Sequence, residues 1–341
     1  MDLGLTDEQE QLVDSFRSLF AKGSTPEAVR EAEPLGFDPK LWETIGETGA
    51  VAMAVPEGRD GWGATLVDLA LVAEQAGRAA APVPLVDAQV AARLLAALAT
   101  PPALDELGSA LGDRLVTVAV RPARQCVAEL VPAGAVCASS VVLDGRRLVL
   151  VGVTDAGRRP VTNLASSPLA DLDVGDHAVE LADGDAAVAA FETAVDEWLV
   201  LTAAAVVGSA STALDLGSAY AAERVAFGRR IGAFQAIAHP FADSASDLDG
   251  ARLLVHKAAW ALDTGDARAR ELAAMAFAFT CEAAQRATYH ALHAHGGYGF
   301  MLEYDVQLHY RRVRGWPRVW GDADAAYRRA ADARYPGEEQ S

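Results

Sequence analysis

The hydrophobic period of this chain changes twice, and that constrains the fold more than any single motif. In the first hundred residues apolar side chains recur at helical spacing. Thr6-Asp7-Glu8-Gln9 is a capping box, in which Thr6 caps a helix start and Gln9 reaches back. Leu12, Val13, Phe16, Leu19 and Phe20 follow on one face, and Lys22-Gly23-Ser24 ends the run. Pro39 to Gly49 predicts a second short helix with Trp42 and Ile45 on one side. A glycine-rich loop from Glu57 to Gly63 leads into a helix carrying Leu66, Leu69, Ala73 and Ala76. Pro82-Val83-Pro84 breaks that run, because two prolines this close do not fit a regular helix. Leu85 opens another helical pattern through Leu98, and the helical region extends to about Leu107.

From Asp113 the period shortens. Leu115 to Val120, Ser140 to Leu143 and Arg147 to Val153 read as strands, the last two joined by a turn at Asp144-Gly145. His177 to Leu181 is a further candidate. The segment has room for about four to six short strands. From Asp185 the helical period returns and lasts to about Arg334. Phe241, Leu248, Val255 and Leu262 recur every seventh residue, as on the seam of a long bundled helix. Pro240 falls near that helix's start. Asp263-Thr264-Gly265-Asp266 is a turn, and Ala267 to His293 carries the antiparallel return. The fold class is therefore mainly α with a small central β domain. The expected layout is an N-terminal helical domain (1–110), a shortened β domain (111–184) and a C-terminal helical bundle (185–341).

Composition excludes several functions. A formal charge of −18 repels nucleic acid and anionic membrane surfaces. It also repels any anionic ligand globally, so such a ligand needs local positive charge. No stretch approaches the ~18–20 unbroken apolar residues of a membrane span. Met1 to Glu8 is acidic and lacks the basic start and apolar core of a signal peptide, so a cytoplasmic protein is expected. Cys126, Cys137 and Cys281 fit neither a metal spacing nor a disulfide framework, and no metal is expected.

One stretch gathers groups that could hold a nucleotide: Glu223-Arg224-Val225-Ala226-Phe227-Gly228-Arg229-Arg230-Ile231-Gly232-Ala233-Phe234-Gln235. An arginine fork can grip a pyrophosphate with two parallel hydrogen bonds. Glycines let backbone approach a ligand. The Gln235 amide can meet an adenine or ribose edge. The plain alternative is a helix-to-helix elbow with solvated arginines.

Arg-x-x-Phe-Gly-x-x-Ile-x-x-Phe-Gln, followed by His295-Gly296-Gly297-Tyr298-Gly299-Phe300, resembles the C-terminal half of the acyl-CoA dehydrogenase family. Val55-Pro56-Glu57-Gly58-Arg59-Asp60-Gly61-Trp62-Gly63-Ala64-Thr65 and Ala73-Glu74-Gln75-Ala76-Gly77-Arg78 are similar to its N-terminal half. The resemblance implies that family's fold, with a reduced β-barrel between a helical domain and a four-helix bundle. It implies FAD as cofactor and an acyl-CoA thioester as substrate, desaturated between its α and β carbons by an oxidoreductase. An electron-transferring flavoprotein is the implied electron acceptor.

The family carries its proton-abstracting carboxylate at one of two places. The commoner matches Val319-Trp320-Gly321-Asp322 here, so Trp320 stands where the base belongs. The other matches Trp198, with Glu197 one residue earlier. One residue turns a helical side chain by about 100°. Glu197 is thus a candidate base, or a plain first-turn carboxylate favoured by the helix dipole. Leu199 replaces an arginine often found just after. The flavin-ring loop of the family is replaced by Arg121-Pro122-Ala123-Arg124-Gln125-Cys126, and no tryptophan occurs between Trp62 and Trp198.

By contrast Arg224, Phe227, Gln235 and Gly296-Gly297 persist. In the family these positions reach a neighbouring subunit's FAD, with His293 here replacing a frequent glutamine. The plain reading of Gly296-Gly297 is a helix stop. The pattern resembles the shorter subunit of heteromeric, α2β2-type acyl-CoA dehydrogenases of fatty acid or sterol side-chain metabolism. Their longer homologous partner holds the flavin ring and the base. Two alternatives stay open: a self-sufficient homo-oligomeric dehydrogenase using Glu197, and a flavin-free structural or acyl-binding protein on the same fold.

Overall fold

The computed structural model describes residues 4–33, 35–112, 114–175 and 177–335. Met1 to Leu3 and Asp113, where the acidic start and the first period change were read, lie outside the described residues. The helices expected in the first third form, with α1 (Asp7–Gly23), α3 (Pro39–Glu47), α4 (Leu66–Arg78) and α5 (Leu85–Leu98). Two more were not anticipated as separate elements, α2 (Pro26–Ala32) and α6 (Pro101–Leu111). Both capping-box hydrogen bonds of Thr6 and Gln9 are made, each at 3.2 Å.

The β region holds seven strands among the described residues, more than expected. They are β1 (Val116–Val118), β2 (Val127–Val131), β3 (Ser139–Asp144), β4 (Arg147–Gly152), β5 (Arg158–Pro160), β6 (Ala170–Asp173) and β7 (Val179–Asp183). One sheet has the order β1-β3-β4-β7 and the other β2-β6-β5. The β3–β4 hairpin turns where the sequence placed it, with Gly145 left-handed at φ +64°. Strands β2, β5 and β6 were missed, and of these β5 (Arg-Arg-Pro) and β6 (Ala-Asp-Leu-Asp) hold no β-branched residue.

The rest is helical: α7 (Gly184–Glu223), then a hairpin of β8 (Val225–Ala226) and β9 (Arg229–Arg230). It continues with α8 (Gln235–Asp263), α9 (Ala269–His295), α10 (Val306–Gly315) and α11 (Ala323–Arg334). The expectation that no stretch approaches a membrane span needs correcting. An 18-residue window of α7 has a mean hydropathy of 1.7, enough by length and composition to cross a bilayer. That window is 78% buried inside the protein, so its apolar character is that of a core helix.

The chain forms two compact units. One contains residues 28–69 and 82–198, and so the β strands β1–β7, α5, α6 and the start of α7. Here α5 packs on α6 and β1. Buried Glu106 of α6 accepts a hydrogen bond from Ser139 of β3, which ties the helices to the sheet.

The other unit joins the described residues up to Glu27, Ala70–Ala81 and those from Leu199 onward. Helix α9 packs against α8, α10 and α11. Its core gathers Val206, Ala210, Leu214, Leu248, Ala284, Ala287 and Val313. Of the four heptad residues Leu248 and Val255 are buried, and Phe241 and Leu262 are half-buried. The end of α4 crosses α7 at backbone contact. A Cβ on Gly77 would sit 1.9 Å from the Ala205 carbonyl oxygen, and one on Gly208 would sit 2.0 Å from that of Glu74.

This crossing yields a stability prediction. Ala gains about 1 kcal/mol over Gly in a helix interior. Overpacking a tight contact costs about 1–3 kcal/mol, and here both clashing groups are backbone. Gly208→Ala should therefore lower the unfolding free energy by about 1 kcal/mol or more in urea titrations. Gly46→Ala on α3, where no atom lies within 4 Å, should instead raise it by up to about 1 kcal/mol.

Candidate functional site

The residues singled out from the sequence fall into two groups, one in each unit. The first lies at one end of the unit built on α8 and α9. Helix α7 stops at Glu223, and Arg224 N–H still donates to the Tyr220 carbonyl at 2.9 Å. The chain then makes a tight hairpin, Val225 paired with Arg230 and Ala226 with Arg229. Its two turn residues, Phe227 and Gly228, have φ +54° and +78°. Positive φ at both central positions makes the turn follow the strand twist. Phe227 is left 96% exposed at the tip. Arg229 stacks over the Phe234 ring at 4.0 Å, and Phe227 meets the same ring edge-on at 6.2 Å. Arg224, Arg229, Arg230 and Gln235, the first residue of α8, are all exposed.

The glycine turn lies nearby. Tyr220 of α7 stacks on His295 of α9 at 4.3 Å, so the C-terminal ends of these helices adjoin. Gly296 leaves α9 at φ +61°, and no atom lies within 4 Å of a Cβ built on Gly296 or Gly297. Both backbones are open to approach. His293, a turn earlier, is exposed and stacks on Tyr289 at 5.9 Å, on the outer surface of α9.

The second group belongs to the unit with the sheets. Glu197 of α7 is only 7% exposed and binds Arg93 of α5, with Arg93 Nη2 to Glu197 Oε1 at 2.9 Å. Trp198, 3% exposed, donates its indole N–H to Asp87 Oδ1 at 2.8 Å. Asp87 lies in the first turn of α5. Burial pushes its carboxyl up to about 6, against the lowering pull of the Trp198 hydrogen bond. Neither Asp87 nor Arg93 was singled out from the sequence. Asp87 is 111 residues from its partner, and nothing local announces the pairing.

At the other base position the indole of Trp320 packs edge-on against Phe277 at 5.7 Å. Asp322 caps α11 by accepting from Ala325 N–H at 2.9 Å, and that bond holds its carboxyl below the usual range. In the loop from Arg121 the chain turns sharply into β2, with Gln125 and Cys126 at φ +51° and +59°. Cys137 and Cys281 are buried thiols pushed up to about 12 by desolvation. His309 is buried beside Ser209 at 3.0 Å and pushed down to about 3 by burial. Arg312 of α10 is 2% exposed.

The acyl-CoA dehydrogenase N-terminal domain family matches residues 6–104, and the acyl-CoA dehydrogenase C-terminal domain family matches residues 189–331. The chain belongs to the acyl-CoA dehydrogenase family, and FAD is the cofactor of that family. It is 33% identical to the acyl-CoA dehydrogenase IpdE2 of Mycolicibacterium smegmatis, over 95% of this chain and 98% of that one. Among solved structures it resembles a chain of the ChsE4-ChsE5 complex from Mycobacterium tuberculosis. That match has a TM-score of 0.89 and 25% identity, and covers 100% of both chains. It also resembles a chain of a Tcur3481-Tcur3483 steroid ACAD variant, with a TM-score of 0.87 and 26% identity over 97% of this chain and 98% of that one.

The donor set suits part of FAD. Arg224 offers a guanidinium to a pyrophosphate, Gln235 an amide to an adenosine, and Gly296-Gly297 an open backbone. All stand on an exposed surface.

Asp87 gives a pH-dependent prediction. Its carboxyl titrates near 6 when folded and at 3.8 as a free group, so folding favours the protonated form. The associated stability is full below about pH 4 and lost as pH rises through 6. Asp87→Asn keeps an acceptor for the indole and removes that loss. From pH 4 to pH 7 its unfolding free energy should gain on the parent by up to about 3 kcal/mol, measured by urea denaturation at each pH. A constant offset between the two proteins would contradict it.

Proposed function

We propose that this chain is the shorter subunit of a heteromeric, α2β2-type FAD-dependent acyl-CoA dehydrogenase. It lends Arg224, Phe227, Gln235, His293 and the Gly296-Gly297 turn to the FAD of a longer homologous partner. One contrast carries this reading. The groups suited to FAD are exposed, Gly296 and Gly297 with open space beside them, Phe227 against the edge of Phe234 and His293 against Tyr289. The groups at the family's base positions are consumed. Trp320 and Trp198 are indoles, and Glu197 is held by Arg93 at 2.9 Å. An indole accepts no proton at neutral pH, and an arginine partner stabilises a carboxylate in its charged form and weakens it as a base. When bound, FAD supplies the hydride acceptor. This chain's part is to grip the dinucleotide's phosphate and adenosine end and to exclude water from it.

The sharp turn at Arg124 to Val127 supports the same reading, because it leaves little chain for a loop against a flavin ring. Similarity to chains from the ChsE4-ChsE5 complex and the Tcur3481-Tcur3483 steroid ACAD favours a two-chain assembly and a bulky, sterol-type acyl group. We extend the proposal to a heterotetramer in the cytoplasm, with an electron-transferring flavoprotein as acceptor. Its layout is the three-part division 1–110, 111–184 and 185–341.

Co-expression with a longer homologue encoded nearby tests the assembly. The chain expressed alone should be colourless, and the complex should be yellow with fewer flavins than chains. A yellow, active single-chain oligomer would favour self-sufficiency. A stable chain that never acquires flavin with any partner would favour a flavin-free protein. Within the complex, Arg224→Ala should release flavin at least about tenfold more readily, read by retention on a desalting column. Unchanged occupancy would remove the interface role. Glu197→Gln should leave the turnover of the complex near that of the parent. A loss of several orders of magnitude would make Glu197 the base.

A further inference from the structure

A charge withdrawn from water needs an opposite charge or an equivalent set of dipoles. Arg93 and Arg252, both half-buried, meet that need with Glu197 at 2.9 Å and Glu74 at 3.1 Å. Arg314, in the last turn of α10, is half-buried too, yet it pairs with no carboxylate among the described residues. Its guanidinium lies over the Tyr310 ring at 3.5 Å. Nη1 donates to Thr288 Oγ1 at 3.3 Å and to the Tyr310 carbonyl at 3.4 Å, and Nη2 donates to the Gln285 carbonyl at 3.5 Å. All three exceed the usual range of about 2.7–3.2 Å. Nε has no acceptor among the described residues. Glu303 and Asp305, in the loop before α10, are engaged elsewhere. Partial burial pushes the guanidinium below its usual range, and no acid pulls it back. Arg334, at the end of α11, reaches Glu271 in the first turn of α9, whereas Thr288 is about 25 Å further along that helix. An acid following α11 in sequence therefore starts far from Arg314.

The surface around this guanidinium is apolar. Phe300 meets the Tyr310 ring edge-on at 5.3 Å and is 63% exposed. Met301 and Leu302 follow it in the chain and are exposed as well. Arginine, methionine and aromatic rings set together are the composition of protein–protein contact centres. A dissolved phosphate would be served by the charge and would gain nothing from the apolar rim. We propose that Arg314 anchors the contact with the longer subunit, its fork receiving one aspartate or glutamate carboxylate of that subunit while apolar side chains cover Phe300 and Tyr310. The stacked plane of Arg314 is already set for two parallel hydrogen bonds, and closure of the contact removes the water that screens it. The surface leads on from the glycine turn, since Gly297 is followed by Tyr298, whose ring stacks on Tyr304 at 5.5 Å. The inference rests on the reading of this chain as one subunit of a two-chain assembly, and adds where an acidic group of the other subunit lands.

The test co-expresses the full chain with a longer homologue encoded nearby and follows dissociation of the two chains by analytical ultracentrifugation. Arg314→Gln should weaken association about tenfold or more. Arg314→Lys, which keeps the charge without the fork, should fall between Arg314→Gln and the parent. Raising the salt concentration should weaken the parent complex more than the Arg314→Gln complex. Phe300→Ser should weaken association and keep the parent's salt dependence. The melting temperature of the shorter chain alone should not fall in Arg314→Gln. A guanidinium that only staples α10 to α9 would lower that temperature and leave association and its salt dependence alone, which would overturn the inference. Two other results overturn it as well. Self-association of the shorter chain that Arg314→Gln abolishes would put the carboxylate on a second copy. Binding of inorganic phosphate to the chain alone, lost in Arg314→Gln and read in a calorimeter, would make the site one for a small anion. If the shorter chain is insoluble by itself or Arg314→Gln does not fold, Arg314→Lys and the salt series decide within the complex, and behaviour equal to the parent's overturns the inference. If no longer homologue binds the parent chain, the two-chain reading fails. If the parent assembles and Arg314→Gln assembles equally well, only the Arg314 contact fails.

Discussion

At Gly77 and Gly208 the backbones of α4 and α7 touch, and the unit around α8 and α9 is arranged about that contact. No side chain larger than hydrogen fits at either position, so the crossing brings main chain to main chain. The closeness has an electrostatic consequence. It draws Glu74 inside, where it is 6% exposed, and a buried carboxylate is tolerable only with partners. Arg252 supplies them, with its Nε 3.1 Å from both Glu74 oxygens, and Arg78 approaches Glu74 at 3.5 Å. Arg252 also donates to Ser211 at 3.1 Å, which ties α8 to α7. The Glu-x-x-Gly-Arg turn read from the sequence is thus a packing device. The glycine makes the contact, and the charged residues manage the burial it forces.

Helix α7 shows how one helix can serve two ends differently. Because α7 already begins at Gly184, Glu197 is not the first-turn carboxylate expected; more than three turns in, it and Trp198 are spent on α5. At its end the last turn is released into a hairpin whose tip, Phe227, touches almost nothing of its own chain but the edge of Phe234. A nearly naked phenylalanine on a positive-φ turn costs both backbone strain and apolar exposure. Such a feature is stable only because the turn geometry fixes it, and it gains its return when another surface covers it. The exposed Tyr298, Phe300 and Leu302 beyond the glycine turn belong to the same class of surface.

The order of helices, strands and helices was legible because it rests on periodicity, and several boundaries fell close: α5 at Leu85–Leu98, the Asp144-Gly145 turn, the end at Arg334. What escaped had no periodic signal. Strand β5 is Arg-Arg-Pro, and its place depends on pairing with β6 rather than on its own composition. The stretch from Glu223 to Gln235 could be singled out because its glycines and aromatics are local, though its hairpin was not foreseen. The α5–α7 pairs could not, because Asp87 and Trp198 are joined only by the fold. The membrane-like apolarity of α7 was missed for a related reason: its scattered polar residues interrupt any unbroken run while leaving the average high.

Charge presents the last constraint. At −18 the chain as a whole repels a dinucleotide or a CoA ester, and a whole-molecule view would exclude both. Screening decides otherwise. At physiological salt the Debye length is about 8 Å, so an anion touching the hairpin feels mainly the charges within that distance. Along the hairpin stretch Arg224, Arg229 and Arg230 outnumber Glu223. Partial withdrawal from water strengthens each contact further, as the effective dielectric falls from about 80 towards 20. Whole-molecule charge therefore does not by itself exclude an anion at a local arginine cluster. An exposed arginine gains little from an ion in water, and the same arginine gains severalfold more once a covering face removes that water.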